Sequence, residues 1–233
     1  MDLTQRVDQP EWMDTRVFPV GVMRETLGFL SVTNRFFGGT AVVLRHFEDW
    51  SRRWDRTQTI RVLDVGTGGA EIPIALAEWA RAKGFQLEVT GIDLVEQAVQ
   101  VARENSKHLK GIHVERKNLF DINNPGGFDY VIASLLLHHI APEESVRLLK
   151  KIDALAARGI LISDLLRSRA SYLAVKALSF IIGNPVVRHD GPLSVRRAFR
   201  LEELSGLARQ ADLPYLSARR EPWFRVSLAG ERP

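Results

Sequence analysis

Short runs of Val, Ile and Leu alternate along the chain with stretches in which apolar residues recur every three or four positions, the two periodicities of buried strand and amphipathic helix. The runs predict strands at residues 60–65, 87–92, 112–115, 128–133 and 159–163. Helices are expected between them, at 70–82, at 95–107 with Val95, Ala98, Val99 and Ala102 on one face, and at 142–157. Pro73 is tolerated in a first helical turn, where its missing amide has no partner to lose, and Gly84 is placed to end that helix. Upstream, Val22, Leu27, Leu30, Phe36, Val43, Leu44 and Phe47 recur at helical spacing, broken by Asn34 and Gly38-Gly39, so two or three helices precede the first strand. Downstream come an apolar helix at 171–182, a polar loop at 188–192, a helix opening at Arg200-Leu201-Glu202, and an antiparallel strand pair at 215–220 and 224–228. Alternating strands and helices predict an α/β chain: a doubly wound, mostly parallel sheet of seven strands. N-terminal helices (residues 1–55) form a lid, and residues 56–233 a single body with a helical cap inserted at 168–200.

Composition narrows the classes. With 233 residues, 45% of them hydrophobic and 26% charged, the chain is an ordinary globule with room for one sizeable α/β core. The net charge of +4, from 32 basic and 28 acidic residues, is too small to argue for nucleic acid, and Arg196-Arg197 and Arg219-Arg220 are short clusters on solvated faces. Absence of Cys removes disulfides, thiolate metal sites and a cysteine nucleophile. No metal site is predicted. The first ten residues lack the apolar core of an export signal, and the apolar run at 171–183 is interrupted by Lys176 and is too short to cross a bilayer, so a cytoplasmic protein without a transmembrane segment is expected.

The chemistry begins at Asp64-Val65-Gly66-Thr67-Gly68-Gly69-Ala70-Glu71, where an apolar strand breaks into glycines before a helix. Such a turn lets backbone amides approach a ligand where a Cβ would intrude. The next strand ends in Asp93, at the distance expected of an acid that binds ribose hydroxyls. A dinucleotide fingerprint needs glycine where Glu71 stands, which argues against a nicotinamide cofactor. The pattern Asp64-x-Gly66-x-Gly68-x-Ala70 followed by Asp93 resembles the first two motifs of the class I S-adenosylmethionine (SAM) dependent methyltransferases, departing from them at Ala70 in place of a third glycine. The resemblance implies a Rossmann-like fold, SAM as cofactor and S-adenosylhomocysteine as product. It implies that Asp64 helps hold the methionine ammonium, that Gly66 and Gly68 let the backbone pass the cofactor, and that Asp93 grips the ribose diol. By the same likeness Asn118 stands where an acid often bonds the adenine amine, with the Leu119 amide beside it and Ser134 at the end of the fourth strand, in the same crevice.

Methyl transfer from a sulfonium requires an aligned nucleophile and, for a hydroxyl, removal of its proton. His138 and His139 follow the fourth strand, where the family often carries a histidine, and His139 is the favoured base. His189, flanked by Arg188 and Asp190, is the second candidate. The apolar helix with Tyr172, Leu173, Leu178, Phe180, Ile181 and Ile182 lines an acceptor cavity or buries against a second subunit in a homodimer. The Asn/Asp-Pro-Pro-aromatic signature of amide and adenine methylation is absent after the fourth strand. The expected activity is O-methylation of a small lipophilic or aromatic hydroxyl compound. Methylation of carbon or nitrogen, or a SAM-fold protein that binds without catalysis, are the alternatives.

Overall fold

Val62, Leu63 and Val65 have β-branched or bulky side chains on alternating faces, and the first strand, β1 (Thr59–Val65), buries both of its faces in the middle of a sheet. The computed structural model describes residues 3–232. Around β1 lie β2 (Gln86–Asp93), β3 (Ile112–Arg116), β4 (Phe128–Ser134), β5 (Ala156–Leu165), β6 (Ser217–Glu221) and β7 (Arg225–Glu231), in the order β3-β2-β1-β4-β5-β7-β6. The first five pair in parallel, and β7 runs antiparallel between β5 and β6. Order reverses at β1, since β2 and β4 flank it, and the carboxyl ends of β1, β2 and β4 therefore open a crevice there.

Alternation along the strands divides the core into two layers. Leu63, Val131, Ile160 and Leu228 face α6 (Pro142–Leu155) and α9 (Leu201–Gln210). Ile60, Val62, Tyr130 and Leu161 face α3 (Gly39–Ser51) and α4 (Glu71–Lys83). Phe47 of α3 is fully buried there, a burial worth about 1.5–3 kcal/mol. Trp54, which the sequence left without a role, donates from Nε1 to the Tyr130 hydroxyl at 2.7 Å inside this aromatic layer. α2 (Val20–Phe36) packs instead on α5 (Glu96–Ser106) through Met23, Leu27, Ala98 and Val101. Of the two phenylalanines expected in the lid, Phe36 projects outward, whereas Phe37 lines the crevice edge-on to Trp223.

Three boundaries differ from the sequence reading. The segment 188–192, expected as a loop, lies inside α8 (Pro185–Arg197), which follows α7 (Arg169–Ile182) in the cap. Asp190-Gly191-Pro192 reads as turn chemistry, but packing overrides it. A Cβ on Gly191 would stand 2.6 Å from Ser179 Oγ, so this glycine permits the close crossing of α7 and α8. Asn184 caps the helix by accepting the Val186 and Val187 amides. The second difference is that α6 stops at Leu155 and β5 begins at Ala156, with no loop between them. The third is that Tyr215 lies ahead of β6, and its hydroxyl donates to Asp153 at 2.5 Å.

Candidate functional site

At the end of β1 the chain turns through Gly66 and Gly68, both with positive φ (71° and 52°). A Cβ on Gly66 would lie 2.9 Å from Leu136, so glycine there is needed for both conformation and space. Ala70, standing for the family's third glycine, also has a left-handed backbone (φ 63°) and caps α4. Its methyl is fully buried, so a gain of about 0.8 kcal/mol per buried carbon offsets part of the 1–2 kcal/mol conformational cost. Asp93 closes the turn from the neighbouring strand: one carboxylate oxygen accepts the Gly68 amide at 3.0 Å and the other the Val95 amide at 3.0 Å. Each oxygen retains a lone pair for a ligand hydroxyl.

Asn118 follows β3, and its side-chain oxygen accepts the Phe120 amide at 3.0 Å, capping a 3₁₀ turn over Leu119–Asp121. Ser134 ends β4 with a buried hydroxyl that has no partner among the described residues. Beyond it Leu135 holds a left-handed backbone (φ 55°), a local strain of the kind that gathers at functional sites. All seven residues assigned to the cofactor by sequence line one cavity of about 800 Å³. That volume is within the range of about 300–1,000 Å³ typical of small-molecule sites.

Three buried acids, Asp64, Glu71 and Asp93, gather around the turn. Burial pushes the Asp64 carboxyl up to about 7, and the charges of Glu71 on α4 and Asp93 on β2 push the same way, against Thr67 of the turn. Burial also raises Glu71, whose side chain accepts a hydrogen bond from the buried Asn34 of α2. Close by on β7, Arg225 is 4% exposed and lines the cavity, and its Nε and Nη1 have no partner among the described residues. Sequence reasoning missed this anion-seeking group because an arginine at the start of an apolar strand carries no local signal.

A second cluster faces the same cavity. His138 and His139 sit in a 3₁₀ turn over Leu137–His139, with the His138 amide and ring Nδ1 both against the Asp164 carboxylate, at 3.0 and 2.6 Å. His139 Nδ1 lies 2.6 Å from Asp14, in α1 (Trp12–Thr15). Glu11 projects between the two rings, its carboxylate oxygens 3.7 Å from His138 Nε2 and 3.9 Å from His139 Nε2. Burial raises Glu11 to about 7 against the opposing pull of His139, whereas at Asp14 burial, the largest single influence, is outweighed by the combined hydrogen bond and charge of His139, the Glu11 amide and Arg197, which hold it at about 2.

The segment carrying Glu11 and Asp14 belongs to the N-terminal region expected as a lid, and neither acid was singled out from the sequence. Contacts remote in sequence hold it down. Arg6 donates to the His138 and Ile140 carbonyls at 2.6 and 2.7 Å, and the Asp190 carboxylate caps α1 at the Trp12 and Met13 amides. Arg197 joins both sides, donating to the His138, His139 and Gln9 carbonyls and to Asp14.

His189 is not part of this cluster. Its ring stacks on Trp12 at 4.1 Å and lines a separate shallow depression with Gln9 and Arg196, while its neighbour Asp190 faces the large cavity. The structure thus brings His139 and the cofactor-assigned residues into one enclosure and leaves His189 outside it.

The methyltransferase-domain family profile matches residues 56–180, more than half of the chain. The chain belongs to the class I SAM-dependent methyltransferases. Among its relatives is a ubiquinone biosynthesis O-methyltransferase of Bordetella parapertussis, 31% identical over 160 residues that make up 66% of this chain and 61% of that protein. The chain therefore spans less than two thirds of the length of that curated relative. A SAM-dependent methyltransferase of Aquifex aeolicus superposes with a TM-score of 0.62 at 18% identity, over 89% of this chain and 97% of the other. Human N-acetylserotonin methyltransferase superposes with a TM-score of 0.64 at 16% identity, over 92% and 56%. At these identities the two structures establish the fold.

Proposed function

We propose that this methyltransferase moves the methyl group of SAM to a hydroxyl of a small, lipophilic or aromatic acceptor. The observation that carries the reading is a single cavity with the glycine turn and its acids at one end and the Glu11-His138-His139 cluster at the other. SAM supplies a methyl already activated on sulfonium. Asp93 takes the ribose diol, and Asn118 and the Leu119 amide take the adenine edge, with the second lone pair of the Asn118 oxygen open beside its cap. The Ser134 hydroxyl supplies a buried polar contact, and Gly66 and Gly68 admit the methionine chain. Asp64 faces the ammonium and Arg225 the carboxylate, which gives the two unpaired charges opposite partners. The acceptor lies against Leu30, Val175, Leu178 and Val186, contributed by α2, α7 and α8. Its hydroxyl loses a proton at the histidine–glutamate cluster, and the oxygen then attacks in line. The O-methyltransferase relatives and the apolar walls favour oxygen over nitrogen or carbon.

Turnover of a panel of phenols, anilines and carbon acids with isotopically labelled SAM tests this. Label on phenolic oxygen is expected; label confined to nitrogen or carbon would refute the assignment. His139→Ala is expected to lower the rate by about 10²-fold or more, the usual yield of proton removal, and His189→Ala to change it less than about threefold. Equal losses in both variants would return His189 to the site.

Asp64 makes cofactor binding depend on pH. A carboxyl raised to about 7 in the folded protein, from an ordinary value near 4, adds stability below pH 4 that is lost as pH rises through 7. The cationic ligand selects the ionised form, so its affinity rises over the same interval. Calorimetry between pH 5.5 and 7.5 should show SAM binding strengthening by up to about tenfold per pH unit, and Asp64→Asn should flatten the curve. An unchanged slope in that variant would remove Asp64 from the ammonium site.

A further inference from the structure

Glu11, His138 and His139 each bring one potential ligand atom to the cavity wall, all within 4.8 Å of one another, with the two Nε2 atoms facing the two oxygens of the Glu11 carboxylate. We propose that Glu11, His138 and His139 form a binding site for a divalent transition-metal ion of the Zn²⁺ type, with its open position facing the acceptor. The site rests on the methyl-transfer reading only for its use, not for its existence.

The tautomers argue for a cation. Asp164 and Asp14 accept from the Nδ1 atoms of the two rings at 2.6 Å, which puts a proton on each Nδ1 and directs each Nε2 lone pair toward Glu11. This is the carboxylate–histidine arrangement that orients ring ligands of metals and raises their basicity. The Nε2-to-carboxylate separations of 3.7 and 3.9 Å are too long for hydrogen bonds. They are near the separation of about 3.4 Å between two ligands bound at 2.0–2.1 Å on one tetrahedral ion.

Glu11 is 2% exposed and leaves one carboxylate oxygen, Oε1, without a donor at that edge among the described residues. Arg197 passes within 4.0 Å of it, but the donors of Arg197 are committed to three carbonyls and Asp14. A shared proton or a cation relieves the repulsion between this buried carboxylate and the two imidazole nitrogens, and a metal ion serves all three groups at once. Two imidazoles and one carboxylate are a donor set that suits Zn²⁺ or Fe²⁺ and discriminates against Mg²⁺, which prefers oxygen.

With three protein ligands the ion keeps a position for the acceptor oxygen. An ion held by these three residues would acidify a bound hydroxyl, so that the proton leaves at this same cluster and passes on to solvent. The hydroxyl oxygen's pair then forms the O–C bond while the C–S pair returns to sulfur, giving methyl ether and neutral thioether. On this account His139 acts as a ligand, and the ion lowers the acidity barrier that a free histidine base would otherwise meet.

The test is direct metal binding. The chelator-treated full chain is titrated with Zn²⁺ in a calorimeter, with metal content measured after dialysis, and Mg²⁺ serves as the control ion. One Zn²⁺ per chain is expected, with affinity at least about 100-fold weaker in Glu11→Gln and in the partly exposed His139→Gln, and no saturable Mg²⁺ binding. Circular dichroism and thermal midpoints confirm that each variant is folded. Failure of the wild-type chain to retain Zn²⁺, or an affinity unchanged in both variants, overturns the site. Methyl transfer by the metal-free protein at the full rate overturns the ion's part in the reaction and leaves the methyl-transfer reading standing. Stoichiometric Zn²⁺ binding without SAM binding upholds the site and removes that reading instead.

Discussion

Asp93→Ala lowers the affinity for SAM by about 10²-fold or more. On the proposed reading the carboxylate accepts the ribose hydroxyls, and each hydrogen bond to a charged acceptor contributes about 1.5–3 kcal/mol. It also braces the turn: the Gly68 and Val95 amides both end on it, at 3.0 Å, so its loss frees the backbone that the cofactor passes. Asp93→Asn keeps one oxygen for the diol and is expected to fall between the variant and the wild type. Asn118→Ala should cost less than about tenfold, because the Asn118 oxygen already caps a turn and contributes only its second lone pair. Calorimetric titration ranks the four proteins. Wild-type affinity in Asp93→Ala would place the ribose elsewhere.

Arg197→Leu should be the most destabilising of the single substitutions considered, by about 3–5 kcal/mol, the cost of breaking a buried hydrogen-bonded charge network from one side. Its guanidinium is 6% exposed and donates to the His138, His139 and Gln9 carbonyls and to the Asp14 carboxylate, at 2.7–3.0 Å. Leucine fills part of the volume but removes the Arg197 donors from the His139 and Gln9 carbonyls, and it leaves the His138 carbonyl to Arg6, and Asp14 to His139 and the Glu11 amide. Urea unfolding measures the loss, with Arg53→Ala as the comparison: Arg53 is two-thirds exposed and its pairing with Glu231 is worth under about 1 kcal/mol. A midpoint equal to that of the wild type would show that the N-terminal segment is not secured by Arg197.

The parallel sheet and the glycine turn were legible because each is written locally. Strands such as 60–65 and 128–133 are apolar on both faces, as burial under two layers of helices demands. Gly66 and Gly68 announce a backbone that other residues resist, and Asp93 ends the next strand at a fixed distance. Asp190-Gly191-Pro192 misled for a related reason. Glycine and proline signal a turn when only neighbours in sequence are considered, but here glycine is demanded by a helix packed 2.6 Å from where its Cβ would be. Arg225, Glu11 and Asp14 gave no signal, since a charged residue reads as solvated until the chain around it is folded.

By itself the sequence determined the fold class and the family, and it named seven residues that line the glycine-turn end of the cavity. These depend on side-chain periodicity and on a contiguous turn, both carried by residues within a few positions of one another. Tertiary structure alone decided the other end, where Glu11, His138 and His139 meet. Glu11 meets His138 across 127 positions, Asp14 meets His139 across 125, and Asp190 reaches back 178 to cap the helix that carries Glu11 and Asp14. No local propensity encodes those distances. They arise when the cap helices fold onto the sheet and the burial of Arg197 fixes the N-terminal segment between them.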